Sequence, residues 1–160
     1  MARPSTESLR IGPLGSHHAE PLGELLAELL EDPESIHFHP HPFTRDEARR
    51  IAERRGIRKD LYFGAFLDGR LIGYGMLRGW DEGFAIPSFG VAVRFEFRGS
   101  GVGRRLLRYA ISMARRRGAE RIILKVHPAN GSAKHLYESE GFTFDPVPVN
   151  GGQIKGVLVL

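Results

Sequence analysis

The order of elements in this chain predicts an α/β protein, a mixed β-sheet flanked by helices. Two observations carry that reading. Two apolar runs, residues 61–67 and 71–77, flank Asp68-Gly69-Arg70, a hairpin signal. Further on, strand-like and helix-like segments alternate as β–α–β–α–β from Ser88 to the end of the chain.

The remaining elements follow in order. Residues 8–14 read as a first strand. Residues 19–30 place Leu22, Leu25, Leu26, Leu29 and Leu30 on one helical face, and Pro21 is tolerated in the first turn. Residues 32–43 hold three prolines and three histidines, which makes them a loop. Thr44 is a good N-cap, and Glu47 completes a capping box for a helix to about Arg55. Residues 88–94 form the next strand, and a helix opens after the glycines that follow. Arg115-Arg116-Arg117 then Gly118 end that helix, since cations offset its dipole and glycine stops it. Residues 121–126 read as a buried strand and 132–139 as a helix stopped by Gly141. Two last strands, 142–148 and 154–160, are separated by Asn150-Gly151-Gly152.

At 160 residues the chain is expected to be one domain, 1–160, with a flexible N-terminus over residues 1–7. It lacks a run of about 18 apolar residues, so no membrane partner is expected. The N-terminus lacks the apolar centre of a secretion signal, and a cytoplasmic location is the default. With no cysteine, a disulfide frame, a thiol nucleophile and a Cys-ligated zinc are all excluded. The net charge of +4 suits an anionic cofactor better than a nucleic acid, because the arginine triplet sits at a helix end.

Arg98-Gly99-Ser100-Gly101-Val102-Gly103 is the most informative run. It lies between the apolar stretch Phe89-Gly90-Val91-Ala92-Val93 and a helix rich in arginine. A glycine-rich turn opening a helix is an anion site, because the backbone is bare and the first N–H groups have no internal partner. Arg98, Arg104 and Arg105 are expected to add positive potential. A triphosphate loop would need Gly-Lys-Ser/Thr, and this chain has Gly103-Arg104-Arg105. A dinucleotide fold would place its glycines early, and these lie past mid-chain.

With Arg98, Gly101 and Gly103 at this turn, the run resembles the acyl-CoA motif of the GCN5-related N-acetyltransferase (GNAT) family, Arg/Gln-x-x-Gly-x-Gly/Ala. The stretch from Asn130 to Phe142 resembles the family's second signature, an Asn, an Ala, a Tyr and then Gly-Phe, here Asn130, Ala133, Tyr137 and Gly141-Phe142. The resemblance covers about residues 8–160, most firmly 88–144. It implies a twisted, mostly antiparallel sheet of six to seven strands with about four helices, splayed apart at the cofactor site. It also implies acetyl-CoA as acyl donor, with its pantetheine arm against Val91, Ala92 and Val93 and its phosphates over Arg98, Gly99, Ser100, Gly101, Val102, Gly103 and Arg104. A bulge in the strand before the turn belongs to the same picture, although Phe95 stands where the family pattern has proline.

The chemistry implied is acyl transfer to a primary amine of a small molecule or peptide. It needs an oxyanion donor, for which a backbone N–H near Val93 serves. Tyr137, in the family's tyrosine position, is the candidate acid for the leaving thiolate. By the resemblance Asn130 bonds the cofactor's pantetheine or the helix start, a role compatible with a plain helix cap. In the branch that modifies protein N-termini, a Glu stands at the place of Lys125, so the usual base is missing here. Glu82, with Asp81 and Glu96 as further carboxylates, is the candidate base, alongside relay through water.

His37, His39 and His41 alternate with Phe38 and two prolines. No carboxylate or cysteine completes a ligand set, so no metal is expected. By the resemblance this loop borders the acceptor site, which makes His37 and His39 candidate substrate contacts and Phe38, Phe43 and Trp80 an apolar wall. The alternative from another class is a non-catalytic acyl-CoA-binding regulatory module. Homodimers are frequent in the family, and the resemblance leaves that pairing open.

Overall fold

The structure, a computed structural model, describes residues 8–35 and 38–160. The expected flexible stretch 1–7 lies outside the described residues.

The first layer is built from local signals. β1 (Leu9–Pro13) leads into α1 (Ala19–Glu31), which buries Leu22, Leu25, Leu26 and Leu29. α2 (Arg45–Glu53) starts at Thr44, whose hydroxyl accepts the Glu47 N–H at 3.1 Å. The expected capping box is only half made. The Glu47 carboxylate turns to the Arg50 guanidinium at 2.8 Å instead of reaching back to the cap. α2 also stops at Glu53, short of Arg55.

β2 (Leu61–Leu67) and β3 (Arg70–Arg78) form the hairpin the sequence signals. Asp68 at φ 50° and Gly69 at φ 80° are both left-handed, the geometry of a two-residue turn matched to strand twist. β4 (Ser88–Val93) pairs antiparallel with β3, and α3 (Val102–Arg116) follows the glycine turn. β5 (Arg121–Val126), α4 (Gly131–Ser139), β6 (Thr143–Phe144) and β7 (Ile154–Val159) complete the chain. β6 is shorter than expected. Asp145 turns its carboxylate onto the Val147 N–H at 3.0 Å, and Pro146 and Pro148 offer no donor to a ladder.

The seven strands lie in one sheet in the order β1-β2-β3-β4-β5-β7-β6. Every neighbouring pair is antiparallel except β4 with β5. That parallel pair meets at one register position, Ser88 with Ile123, beyond which the two strands part. α3 packs on one face over Ile72, Phe89, Ile122 and Leu124. α1 and α2 cover Phe66, Leu71, Tyr74 and Met76 on the other face. The expected bulge in β4 is absent, since its pairing with β3 runs unshifted from Val93 to Ser88. The register shift lies one hairpin earlier, between Ala65 and Phe66 of β2. Among the described residues, no helix is long and apolar enough to cross a membrane.

Gly75 on β3 lies under the ring of Phe63, a buried side chain whose ring centre is 4.9 Å from that of Tyr109. A Cβ at Gly75 would stand 2.4 Å from Phe63 Cε2. Gly75→Ala is expected to cost about 1–3 kcal/mol in urea unfolding. An unchanged midpoint would show that Phe63 does not need that bare backbone.

Candidate active site at the divergence of two strands

Backbone direction along β4 follows from two bonds. Arg94 donates its N–H to Ile72 of β3 at 2.8 Å, and Ile123 of β5 donates to the Pro87 carbonyl at 3.0 Å. Strand groups alternate in direction. Even-numbered residues of β4 therefore bond to β3, and Val91 and Val93 turn their backbone groups toward β5. β5 has already left, so those groups face the gap. The Val93 carbonyl is taken by Arg98 Nε at 3.0 Å, which ties down the strand end and leaves the N–H groups of Val91 and Val93 facing the opening. Ala92, grouped with them in the sequence reading, sends its backbone to β3 and its side chain to the α1–α2 core.

The gap leads to the head of α3. Gly99 and Gly101 take φ 72° and 89°, values that glycine adopts without strain. Gly101 is the N-cap and has no side chain to cap with. The first backbone bond within the helix is Arg105 N–H to the Gly101 carbonyl at 3.1 Å, so the N–H groups of Val102, Gly103 and Arg104 point outward. Ser100 donates its hydroxyl to the Phe97 carbonyl, closing the turn.

The arginines do not sit as expected. Arg98 is paired with Asp32 and with Glu34 at 2.9 Å, which ties the turn to the end of α1. Arg104 reaches Glu140 and the Ser139 hydroxyl, and Arg105 donates to the Leu9 carbonyl at 2.8 Å. Arg98 and Arg104 are paired with carboxylates and Arg105 with a neutral carbonyl, while the backbone N–H groups and the helix dipole are open to an anion at this turn.

α4 explains the second signature residue by residue. Asn130 caps the helix, its side chain accepting the Ala133 N–H at 3.3 Å. At the other end Gly141 takes φ 101° and donates to the Glu138 carbonyl at 3.0 Å, while Phe142 donates to the Tyr137 carbonyl at 3.0 Å. That pair of bonds is a Schellman stop, which brings the residue after the glycine back onto the last turn. Phe142 thereby packs on Tyr137 with ring centres 5.8 Å apart, and Phe89 of β4 meets the same ring at 6.3 Å. Burial pushes the Tyr137 phenol up to about 12. Its hydroxyl has no hydrogen-bond partner among the described residues. The Tyr137 side chain is buried against the sheet, 7% exposed.

On the other sheet face the histidine loop packs over β3 and β4. His37 lies outside the described residues. Phe38, His39 and His41 gather around Phe43 with ring centres 5.5 to 6.0 Å away. His41, which sequence reasoning did not single out, anchors this cluster. Its Nδ1–H donates to the Pro42 carbonyl at 2.7 Å, which leaves Nε2 to accept from the Tyr74 hydroxyl at 3.1 Å. Only the pairing of loop and strand reveals it. No group of three metal-ligating side chains occurs among the described residues.

Trp80 is not part of this wall. It packs on the α3 side of the sheet under the Arg117 guanidinium, 4.9 Å from its ring centre. Glu82 is exposed in the turn joining β3 to β4, at the end where β4 still meets β5, and so away from the gap. Asp81 accepts the backbone N–H groups of Lys59 and Asp60, and Glu96 pairs with Arg70 at 2.9 Å on the surface.

A strand edge facing a cleft beside an uncapped, glycine-led helix defines a class, and comparison with known proteins agrees with it. Residues 24–142 match the acetyltransferase (GNAT) family model, so the chain belongs to that family. It is 34% identical over 76% of its length to a streptothricin acetyltransferase of Streptomyces lavendulae, of which it covers 64%, less than two thirds. It is 33% identical over 86% of its length to the N-alpha-acetyltransferase RimI of Mycobacterium tuberculosis, of which it covers 80%. The PaiA N-acetyltransferase of Thermoplasma acidophilum, solved in complex with coenzyme A, shares the fold at a TM-score of 0.78 and 20% identity, over 95% of this chain and 99% of that one.

Burial holds His41 below its ordinary value of 6.5, so the folded protein keeps it neutral where the unfolded chain takes up a proton. Its contribution to stability is full above 6.5 and is lost as pH falls through the folded value. Thermal stability is expected to drop more steeply from about pH 7 to 5 in the wild type than in His41→Gln. His18, lowered by burial and by His17, and the lowered carboxylates Asp32, Asp81 and Glu140 act equally in both proteins. Parallel profiles would remove His41 from this role.

Proposed function

We propose that this protein is an N-acetyltransferase that takes the acetyl group of acetyl-CoA and passes it to a primary amine of a small molecule or peptide by direct attack. The observation that carries this is the β4 edge. Val91 and Val93 present N–H groups to a gap that ends at the bare head of α3. A pantetheine arm fits there as an added strand, and a diphosphate fits on the N–H groups of Val102, Gly103 and Arg104. Gly101, at φ 89°, bears no side chain, and a Cβ there would stand in open space.

Bound there, acetyl-CoA supplies a thioester. The amine nitrogen forms the new N–C bond, the C–S bond breaks, and its electron pair leaves on sulfur. The Val93 N–H is the donor for charge that builds on the carbonyl oxygen. Tyr137 holds a proton at all neutral pH values and is the group to give it to the thiolate. Glu82 faces away from the gap, so water, the other route left open by the sequence, carries off the ammonium proton. Phe38, His39 and Phe43 border the acceptor side, and Asn130 fixes the start of α4 beside the cofactor path. A coenzyme A thioester as donor fits the cytoplasmic location expected from the sequence.

Tyr137→Phe preserves the ring packing and removes only the hydroxyl. It is expected to lower turnover by about 10²-fold or more, read as free thiol release, with little change in coenzyme A affinity by calorimetry. Unchanged turnover would reduce Tyr137 to a core aromatic. Tight coenzyme A binding without thiol release on any of a broad panel of amines would favour a non-catalytic acyl-CoA-binding module.

A further inference from the structure

We propose that the amine acceptor also carries an anionic group, which Lys125 and Lys155 hold at the mouth of the gap between β4 and β5. This names the substrate class of the transferase reading above and rests on it.

The two lysines are register partners on β5 and β7. Partners on antiparallel strands point to the same face, with Cβ atoms about 4.5–5.5 Å apart, and like charges placed so are unfavourable. Ile122, Leu124, Val126, Ile154 and Leu158 fill the core under α3, so the alternate positions 125 and 155 point to the opposite face. That is the face carrying the histidine loop. Lys125 is exposed there and Lys155 half-buried. Neither is in an ion pair among the described residues. The nearest carboxylate in sequence pairing, Asp145, donates its backbone N–H to the Lys155 carbonyl at 3.0 Å but spends its side chain on Val147.

Register places the pair at the gap. Ser88 of β4 meets Ile123 of β5, so two residues further on Gly90 and Lys125 stand across the opening on the same sheet face. Phe38 closes down on Gly90, where a Cβ would lie 3.5 Å from Phe38 Cε2. The mouth therefore has an aromatic wall on one side and two facing ammonium groups on the other. A third cation, Arg78, lies opposite Ser88 on β3, bonded to the Pro40 carbonyl of the loop, and its Nε is buried without an acceptor among the described residues. A ligand with an amine at the thioester and an anionic group a few bonds away would relieve the repulsion between the two lysines. A polycationic amine would add to it.

The test uses acetyl-CoA and sets of amines matched in shape, each with a carboxylate, a carboxamide and an ammonium member. The carboxylates are expected to exceed their amides by about tenfold or more in kcat/KM, and the double variant Lys125→Gln, Lys155→Gln to collapse that ratio toward one. Preference for the amides or the diamines, or an unchanged ratio in the double variant, would overturn the proposal. A second arm needs no turnover: glutarate or inorganic phosphate is added to the coenzyme A-loaded protein and the melting temperature is read. A shift in the wild type that the double variant loses supports the proposal, and the more effective anion tells carboxylate from phosphate. No shift with either anion counts against it. Absence of thiol release with every amine, alongside a lysine-dependent anion shift, would sink the transferase reading while leaving the anion site standing.

Discussion

The divergence of β4 and β5 after a single paired position is the constraint on which the rest of this molecule depends. Backbone N–H groups seek partners, and a strand edge left open inside a sheet is costly unless something fills it. Here the open edge is kept in place from both sides. β3 holds β4 by an unshifted antiparallel ladder, and β7 holds β5 by another. Arg98 fixes the end of β4 through the Val93 carbonyl, and its pairing with Asp32 and Glu34 ties that end to the last turn of α1. α3 and α4 then wedge the parted strands from one face, clamped to each other by Arg104 and Arg108 on Glu140. The cleft is thus braced by ladders on both sides and by ion pairs at its end.

The two faces of the cleft have different characters, and both follow from the alternation of strand side chains. Odd positions of β4 meet the packed aromatic layer of Tyr137, Phe89 and Phe142. Even positions meet a loop built from aromatic and imidazole rings, held down by the contact between His41 and Tyr74. Tyr137 lies on the first side, and the rings of Phe38, His39 and Phe43 lie on the second. The backbone edge of β4 lies between them.

Much of this was legible in the sequence because it is local. The hairpin at Asp68-Gly69, the glycine turn, the Asn130 cap and the Gly141 stop each announce themselves within a few residues, and each is where it was read. What depends on distant residues is not legible in this way. The carboxylate partners of Arg98 and Arg104 are not legible locally, since Asp32, Glu34 and Glu140 lie 36 to 66 residues away in sequence. The position of Trp80 before β4 points to the acceptor wall, but side-chain direction at a strand end puts it under Arg117 on the opposite face. The β6 strand is shorter than its apolar residues suggest because an aspartate turn and two prolines outweigh them. The bulge implied for β4 did not appear, since the extra residue of this sheet falls in the neighbouring hairpin. The contact of His41 with Tyr74 and the facing of Lys125 with Lys155 come from register, which is invisible in a linear reading.

Amide hydrogen exchange with and without coenzyme A tests the central claim most directly. If the cleft is the donor site, the ligand slows exchange at Val91 and Val93 and at the first-turn amides Val102, Gly103 and Arg104, while the amides of β1 and β2 are unaffected. Protection confined to any other surface, or none at saturating coenzyme A, would contradict the account.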